Sequence, residues 1–337
     1  MLDIFRGDAF GVVPLSLAIN NLKFVPGFVS NKAIFTETSV NTTAVSIEEN
    51  NNILMLIGPT PRGAPGHTMP KPRRGLRMLA IPHFEINDAV MAEEVQGVRA
   101  FGQETGNEVV MTKVAQRMQL AGQNLEYTQE YSRVGAIKGI VTYADGTSLN
   151  LFTEYGITPP AAINFPFSTA PTTGNIRQIA ASVIRTMGNN LDGLGWTGVE
   201  ALCGDAFFDA LIACPEVRAT YLQTQNAAEL RTQYIDAGQS WGSFFFGGIL
   251  WTNYRGYVSG TPMIETNYCY FYPTGVPNLF STVYAPADYI ETVNTMGLPR
   301  YVKQYQMQND KGIHMDTQMN ALNFCTRPLA LQKGTFT

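Results

Sequence analysis

Apolar and small side chains recur at helical spacing in the segment from Glu104 to Arg133. This stripe consists of Val110, Val114, Met118, Ala121, Leu125 and Thr128, at intervals of four, four, three, four and three residues. Such intervals bring all of them to one face of an α-helix, which would be on the order of 40 Å long. The pattern therefore predicts a single long helix. The preceding residues 88–101 are also compatible with a helix, although Gly97 and Gly102 interrupt it.

Runs of β-branched and apolar residues predict strands on both sides of an unusual polar segment. The predicted strands are Val40–Ile47, Ile53–Ile57 and Leu76–Ile81, with a turn at Asn50–Asn52. The intervening segment 59–75 (PTPRGAPGHTMPKPRRG) is dense in proline, glycine and basic residues and cannot pack on itself. Loops of this length are uncommon unless they are functional or disordered. We expect a long β-hairpin that projects from the body of the protein, and a disordered insertion is the alternative.

The remaining chain separates into helical and strand-rich parts. Residues 1–47 contain too little periodic apolar content for a core and are predicted to form an extended arm. Residues 159–173, rich in Pro, Thr and Ala, predict a linker between domains, and residues 175–235 predict mainly helices. Strands are predicted at four further places, which are a hairpin at 139–152 turning at Asp145-Gly146, then 199–203, 244–289 and 322–331. Because helices and strands do not alternate strictly, the fold class is predicted to be α+β.

Composition and net charge limit the classes of function that the chain can have. Charged residues make up 15% of the chain, against about 25% in typical soluble proteins. Such a surface is either polar without charge or covered by other subunits, and composition leaves both open. The net charge of −4 argues against nucleic-acid binding as the main task, since that task shows a basic footprint. The first ten residues lack a signal-peptide core and no apolar run is long enough to span a membrane, so we expect a cytoplasmic product.

The cysteines are predicted to be buried free thiols, with disulfides as the alternative. They are widely spaced, form no CxxC pair and lie among apolar residues, at positions Cys203, Cys214, Cys269 and Cys325.

No motif in the chain predicts catalysis, a metal site or a cofactor site. The GxGxxG match at 193–198 lacks the strand before it and the helix after it that a dinucleotide site needs. The GxSxG match at 238–242 is predicted to lie between a helix and a strand, the reverse of a nucleophile elbow. His67, His83 and His314 are too scattered to form a ligand set. We therefore predict no enzyme activity, no cofactor and no metal, with a serine hydrolase using Ser240 as a remote alternative.

Charged residues in and near the polar segment are candidates for contacts between subunits. The basic ones could contact nucleic acid, but in an acidic protein we favour acidic patches on a neighbouring chain. The residues predicted to make contacts between subunits are Arg62, Lys71, Arg73, Arg74, Arg77, Glu48, Glu49, Glu93 and Glu94.

Ordered sequence blocks along nearly the whole chain resemble the lambda-like major capsid proteins of tailed phages. The blocks are DAFGVVPLSLAIN (8–20), FVPG (24–27), LIGPTPRG (56–63), RRGLRML (73–79), IPH (81–83), AEEVQGVRAF (92–101), LEYTQEYSRVGAIKG (125–139), NLFTEYG (150–156), LCGDAFF (202–208), YAPADYIETVNTMGLP (284–299) and CTRP (325–328). The block at 284–299 is the most specific of them.

The resemblance implies a Hong Kong-97-type capsid fold and a structural role. Mapped onto this chain, it implies an N-terminal arm at 1–47, an extended loop at 48–87, a peripheral domain at 88–170 and 296–337 that carries the spine helix, and an axial domain at 171–295. It further implies hexamers and pentamers in an icosahedral shell around double-stranded DNA, assembled in the host cytoplasm. Implied partners are other copies of the chain, scaffold and portal proteins and a decoration protein, with no membrane and no sequence-specific DNA binding. A shell subunit of an encapsulin-like nanocompartment is the alternative.

Overall fold

The computed structural model describes residues 27–50, 74–91, 93–94, 106–168, 174–218, 242–258, 260–308 and 311–337. The chain divides into two compact units. The first contains Met1–Glu49, Gly75–Glu130 and Ser281–Asn323, and the second contains Asn50–Arg74, Tyr131–Phe280 and Phe324–Thr337. These boundaries differ from those of the four predicted parts, which stay a prediction.

Helices and strands are both well represented, and the predicted α+β class is confirmed. The helices are α1 (Phe28–Asn31), α2 (Gly106–Lys138), α3 (Leu151–Glu154), α4 (Asn175–Asn190) and α5 (Asp205–Ala213), with 3-10 turns at Ile290–Thr292 and Pro328–Ala330. The strands are β1 (Phe35–Ser39), β2 (Ala44–Asn50), β3 (Arg74–Ala80), β4 (His83–Met91), β5 (Ile140–Thr142), β6 (Ser148–Asn150), β7 (Ile163–Phe165), β8 (Gly198–Cys203), β9 (Ser243–Phe246), β10 (Ile249–Asn253), β11 (Tyr257–Val258), β12 (Thr261–Pro262), β13 (Tyr268–Thr274), β14 (Phe280–Tyr284), β15 (Tyr301–Gln306), β16 (Gly312–Cys325) and β17 (Gln332–Phe336).

The predicted long helix is confirmed as α2, which extends five residues beyond the predicted end at Arg133. Its stripe residues Val114, Met118, Ala121 and Leu125 are buried, as the helical spacing predicts. The helix ends where Gly139 adopts a φ of +81°, a left-handed conformation that glycine reaches without steric cost.

A five-stranded sheet forms the body of the first unit. Its order is β1-β14-β16-β15, with β4 also paired to β16. Strand β4 is antiparallel to β16, in a register from Met91 opposite Gly312 to His83 opposite Asn320. The helix considered for residues 88–101 is therefore wrong for 88–91, which belong to β4, and residues 95–101 lie outside the described chain. Pairing with a strand more than 200 residues away decides this conformation, and local sequence cannot reveal it.

Strands β2 and β3 pair with one another at the base of the predicted projecting loop. The predicted strand at Leu76–Ile81 is confirmed as far as Ala80 in β3, and the one at Val40–Ile47 only for its second half, because β2 starts at Ala44. The predicted strand Ile53–Ile57 and most of the segment 59–75 lie outside the described residues. The projection of that segment therefore stays a prediction.

A six-stranded mixed sheet organises the second unit, in the order β7-β17-β13-β8-β10-β9. Strands β8 and β10 are parallel, as are β17 and β7, and the other pairs are antiparallel. The predicted linker at 159–173 is wrong in part, because Ile163–Phe165 form edge strand β7 of this sheet. Phe165 and Phe167 are buried, so two aromatic side chains anchor a segment whose proline content predicted a linker.

Aromatic side chains fill the core of the second unit. Trp251 is fully buried, and its ring centroid lies 5.3 Å from that of Phe271, 5.8 Å from Phe165 and 6.1 Å from Phe207. The Trp251 indole Nε1 donates to the Phe246 carbonyl at 3.0 Å, so its polar atom is satisfied inside the core. The predicted hairpin at 139–152 is confirmed as β5 and β6, although α3 begins at Leu151.

All four cysteines are buried free thiols, as predicted. Cys203 and Cys269 face one another across β8 and β13, with their sulfur atoms 3.3 Å apart. Burial raises the pKa of the Cys325 thiol to about 12 and also raises that of Cys269. These thiols are therefore protonated at neutral pH, which makes them poor nucleophiles.

Candidate functional site

The charged residues predicted to contact a neighbouring chain fall in two groups in the structure. Arg62, Lys71 and Arg73 lie outside the described residues, as do the side chains of Glu48, Glu49 and Arg74, whose backbones form the ends of β2 and β3. Arg77 is half-buried on β3, Glu93 is exposed, and Glu94 is half-buried. Their contacts with another chain stay a prediction.

Glu94 has partners within its own chain, on the long helix. Its carboxyl Oε2 lies 3.4 Å from Nη2 of Arg117, and its carbonyl oxygen accepts a hydrogen bond from the Lys113 amino group. The Nη1 atom of Arg117 also lies 3.3 Å from both carboxyl oxygens of Asp88 on β4. Arg117 therefore links the end of β4 and the segment after it to α2.

The two glycine motifs do not form catalytic sites among the described residues. Gly193 adopts a φ of +82° in the turn after α4, and the GxGxxG match leads into strand β8 rather than into a helix. Of the GxSxG match, Gly238 and Ser240 lie outside the described residues, while Gly242 directly precedes β9. Neither match has the strand–turn–helix order that its chemistry requires.

The histidines do not form a metal site in the described chain. The Nδ1 atom of His83 lies 2.7 Å from Asn320 Oδ1, and its Nε2 atom lies 3.4 Å from Glu85. His314 stacks on Tyr305 with ring centroids 4.9 Å apart, and His67 is outside the described residues. Within the ranges that the structure covers, no group of three or more His, Cys, Asp or Glu side chains could hold a metal ion.

A cavity of about 350 Å³ in the second unit contains a paired lysine and carboxyl group. Lys138 Nζ lies 2.7 Å from Glu265 Oε1, and the Tyr270 hydroxyl donates to Glu265 Oε2 at 2.9 Å. Burial pushes the pKa of Glu265 upward, but its hydrogen bond and charge interaction with Lys138 prevail and the pKa falls below its usual value. Burial, followed by the charge of Glu265, raises the pKa of Tyr270. Glu265 is therefore held in its ionised form beside Lys138.

Two buried glutamates, which we call the glutamate clamps, cap helices to which they do not belong. In the first unit, Glu130 on α2 accepts hydrogen bonds from the N–H groups of Val29 and Ser30 at 2.8 and 3.0 Å and from the Ser30 hydroxyl at 2.7 Å. These N–H groups belong to the first turn of α1, where the helix itself offers no acceptor. Gly27 lies against the same carboxyl group, because a Cβ atom there would come within 2.3 Å of it.

The second clamp repeats this arrangement in the second unit. Glu216 accepts hydrogen bonds from the N–H groups of Ile176 and Arg177, at 2.9 and 3.1 Å, in the first turn of α4. Gly174 at the N-cap of α4 offers no side-chain acceptor. The carboxyl group of Glu216 therefore supplies the cap that the local sequence lacks.

A buried ion pair joins α2 to the segment before β15 in the first unit. Arg300 pairs with Glu126, and both side chains are largely buried. Burial raises the pKa of Glu126, and the nearby Arg300 charge counteracts this without cancelling it. Sequence reasoning missed Glu126, Glu130 and Glu216, because apolar periodicity does not register buried polar residues.

Two carboxyl groups approach one another on the five-stranded sheet. With its amide oriented to satisfy both neighbours, Asn87 donates to Asp316 Oδ1 at 2.7 Å and to Glu85 Oε1 at 3.1 Å. Burial, followed by the charge of Glu85, raises the pKa of Asp316, while His314 and Lys303 act in the opposite direction. Folding therefore disfavours the ionised form of Asp316.

The substitution Asp316→Asn is expected to increase the free energy of unfolding near neutral pH, by less than about 1 kcal/mol. Because the folded-state pKa of Asp316 is raised, the stability that its protonated form contributes is lost as the pH rises through that pKa. The gain in the free energy of unfolding should shrink as the pH falls toward the ordinary pKa of a carboxyl group. Urea denaturation of both proteins at several pH values measures it, and a gain that does not depend on pH would contradict the explanation.

Sequence comparison finds similarity to the major capsid proteins of phages. The family model described as phage major capsid protein E matches residues 11–336. The major capsid protein of Pseudomonas phage KPP10 is 28% identical over 326 residues, which cover 91% of this chain and 92% of the relative. The major capsid protein of Salmonella phage Felix O1 is 23% identical, and the match covers 98% of this chain and 97% of the relative.

Two solved structures share the fold of this chain. A protein described as a prophage capsid protein, from E. coli CFT073, matches with a TM-score of 0.56 at 12% identity, over 95% of this chain and 97% of the other. The mature capsid of bacteriophage PhiM1 matches with a TM-score of 0.52 at 12% identity, over 94% and 88% of the two chains. The predicted Hong Kong-97-type capsid fold is confirmed. No helix in the described ranges is long and apolar enough to cross a membrane.

Proposed function

Because the chain belongs to the phage major capsid protein E family, we propose that it assembles as hexamers and pentamers into the icosahedral head shell of a tailed phage. The chain is a major capsid protein and a subunit of a multimeric shell within the virion. The observation that carries the proposal is the family match from residue 11 to residue 336. The lambda-like character stays a prediction.

The proposed role is structural and not enzymatic. In the described chain, Lys138 and Glu265 pair with one another, and burial raises the pKa of Cys269 and Cys325. Protonated thiols are poor nucleophiles, which supports a structural role.

The proposed partners beyond other copies are a scaffold, a portal and a decoration protein, with assembly in the host cytoplasm. The shell would enclose double-stranded DNA, and the net charge of −4 supports contact without tight binding, because like charges repel. No sequence-specific DNA contact and no membrane contact is proposed.

We keep the four-part organisation as a proposal with its predicted boundaries. The arm is residues 1–47, the extended loop 48–87, the peripheral domain 88–170 with 296–337, and the axial domain 171–295. The long helix, most of which belongs to the first unit, supports the spine of a peripheral domain. The six-stranded sheet, most of whose strands come from residues 198–274, supports an axial domain.

Expression of the chain alone and with the other head proteins of the same phage tests the proposal. We expect closed shells or capsomers in electron micrographs and fast-sedimenting particles in sucrose gradients. Particles from infected cells should contain double-stranded DNA. A chain that remains monomeric in all these settings would exclude the proposed function, and shells that enclose a cargo enzyme without a genome would favour a nanocompartment.

Deletion of residues 58–75 is expected to preserve folding and to abolish assembly. The deletion removes Arg74 and Gly75 at the start of β3, and the five-stranded sheet of the first unit includes neither β2 nor β3. Circular dichroism and thermal unfolding measure the fold, and sedimentation measures assembly. Replacing the segment with a Gly/Ser linker of equal length is the matched control, since it retains the connection but removes the basic and proline residues. Loss of folding in both variants would place the segment within the core.

A further inference from the structure

Large apolar side chains project from a short loop between β14 and β15 in the first unit. Ile290 is 92% exposed, Val293 63%, Met296 59% and Leu298 40%. We call residues Ile290–Leu298 the apolar loop. A cluster of this kind, in nine consecutive residues, differs from the single exposed apolar residues that are normal on protein surfaces.

One polar side chain of the apolar loop, that of Thr292, is buried, whereas Glu291, Asn294 and Thr295 are exposed. Thr292 is only 6% exposed, and its hydroxyl contacts the carbonyl oxygens of Ala287 at 2.7 Å and Tyr289 at 2.9 Å. The Thr295 hydroxyl donates to the Thr292 carbonyl at 2.7 Å. The two threonine hydroxyls therefore satisfy carbonyl groups of this segment. The exposed surface of the loop combines its four apolar side chains with Glu291, Asn294 and Thr295.

The apolar loop is also fixed at its C-terminal end. The N–H of Gly297 donates to the Val40 carbonyl at 3.0 Å, and the N–H of Leu298 donates to the hydroxyl of buried Tyr301 at 2.8 Å. A Cβ atom at Gly297 would lie 2.3 Å from the Tyr284 carbonyl oxygen, so only glycine allows this close approach. A surface held in one conformation loses little entropy when a partner binds.

A charged residue within the apolar loop, Glu291, pairs with Lys303 on β15. Lys303 Nζ lies 2.8 Å from both carboxyl oxygens of Glu291 and 5.0 Å from the centre of the Tyr289 ring. An apolar centre with a polar rim is typical of protein–protein contact surfaces. With Asp288 and Glu291 nearby and Lys303 already paired, the surface does not favour a nucleic-acid phosphate.

We infer that the apolar loop is a contact surface between copies of this chain in the assembled shell. The inference rests on the proposed function and adds a location to it. A second copy is the partner that a shell subunit meets in every particle, and an uncovered cluster of this kind would promote aggregation. The exposed Ile290 and Val293 side chains would be buried against the neighbouring copy.

The pair of variants Ile290→Asp and Ile290→Leu tests the inference. The aspartate places a charge in the contact, whereas leucine retains an apolar side chain of the same size. We expect Ile290→Asp to reduce the yield of shells by at least about tenfold at equal protein concentration, and Ile290→Leu to assemble like the original chain. Both variants should unfold at the temperature of the original chain, because residue 290 is exposed in the free subunit.

A cysteine introduced at position 293 gives an independent readout. The four native thiols are buried, so Val293→Cys would supply the reactive thiol of the described surface. We expect its maleimide labelling to be at least about tenfold slower in shells than in unassembled protein. Labelling of Thr186→Cys, exposed on α4, in the unassembled protein calibrates the rate for an accessible thiol.

The outcomes separate this inference from the proposed function. If the original chain forms no shells, the proposed function fails and the inference fails with it. Suppose that the original chain assembles. The inference alone is overturned if Ile290→Asp then assembles equally well and the thiol of Val293→Cys reacts equally fast in shells and in unassembled protein. Slow assembly of Ile290→Asp together with protection of the introduced thiol supports it.

Discussion

Replacement of Glu130 with alanine is expected to lower the free energy of unfolding by about 3 kcal/mol. The first glutamate clamp accepts three hydrogen bonds from Val29 and Ser30, and its removal leaves buried donors without that acceptor. The substitution Glu130→Gln keeps one carbonyl oxygen and should cost less. Urea denaturation measures the loss, and hydrogen exchange at the Val29 and Ser30 amides locates it.

The coupling between Glu130 and Gly27 distinguishes this explanation from a general loss of packing. A Cβ atom at residue 27 would overlap the Glu130 carboxyl group at 2.3–2.6 Å, so Gly27→Ala should destabilise the original chain. In the Glu130→Ala background the overlap is absent, and Gly27→Ala should cost much less. Additive losses from the two substitutions would contradict direct contact between them.

Replacement of Trp251 with alanine is expected to cost about 3–5 kcal/mol in the second unit. Trp251 is fully buried between three other aromatic rings, so alanine would leave a cavity and leave the Phe246 carbonyl without its donor. Trp251→Phe should cost less, because it retains an aromatic ring and loses mainly the hydrogen bond. Chemical denaturation followed by circular dichroism gives the loss.

Trp196 is the matched control for this experiment. It is 37% exposed, and Trp196→Ala should change the free energy of unfolding by less than about 1 kcal/mol. Equal losses at residues 196 and 251 would argue against the core position of Trp251.

The sequence predicts those elements whose stability comes from their own apolar pattern. The long helix follows from the stripe at Val114, Met118, Ala121 and Leu125. The apolar run at 199–203 predicts β8, which is buried in the structure. Strand β7 and the end of β4 are different, since each is stabilised by pairing with a distant strand. Local propensity is weaker than such pairing, and a single sequence does not reveal the partner.

The candidate site could be predicted only in part, for a related reason. The charged residues near 59–75 were found from composition, and whether they contact another chain stays a prediction. Glu130 of the first clamp and the Glu126–Arg300 pair were missed, because the buried face of α2 continues past Leu125 through Glu126, Gln129 and Glu130. The apolar stripe ends where polar residues occupy the same face of the helix, but that face remains buried. The apolar loop was within a recognised block, but the exposure of its apolar side chains appears only in the structure.

The last strands of the chain complete both sheets, and this has a consequence for synthesis on the ribosome. Strand β16 is the centre of the five-stranded sheet, and β17 pairs with β13 and β7 in the other. Neither sheet can form completely until the segment from Gly312 to Phe336 has left the ribosome. A nascent or prematurely terminated chain would therefore expose unpaired strand edges, which chaperones and proteases recognise. Folding of both units would thus be completed only after synthesis of residues 312–336, and a chain truncated before that segment would not join the growing particle.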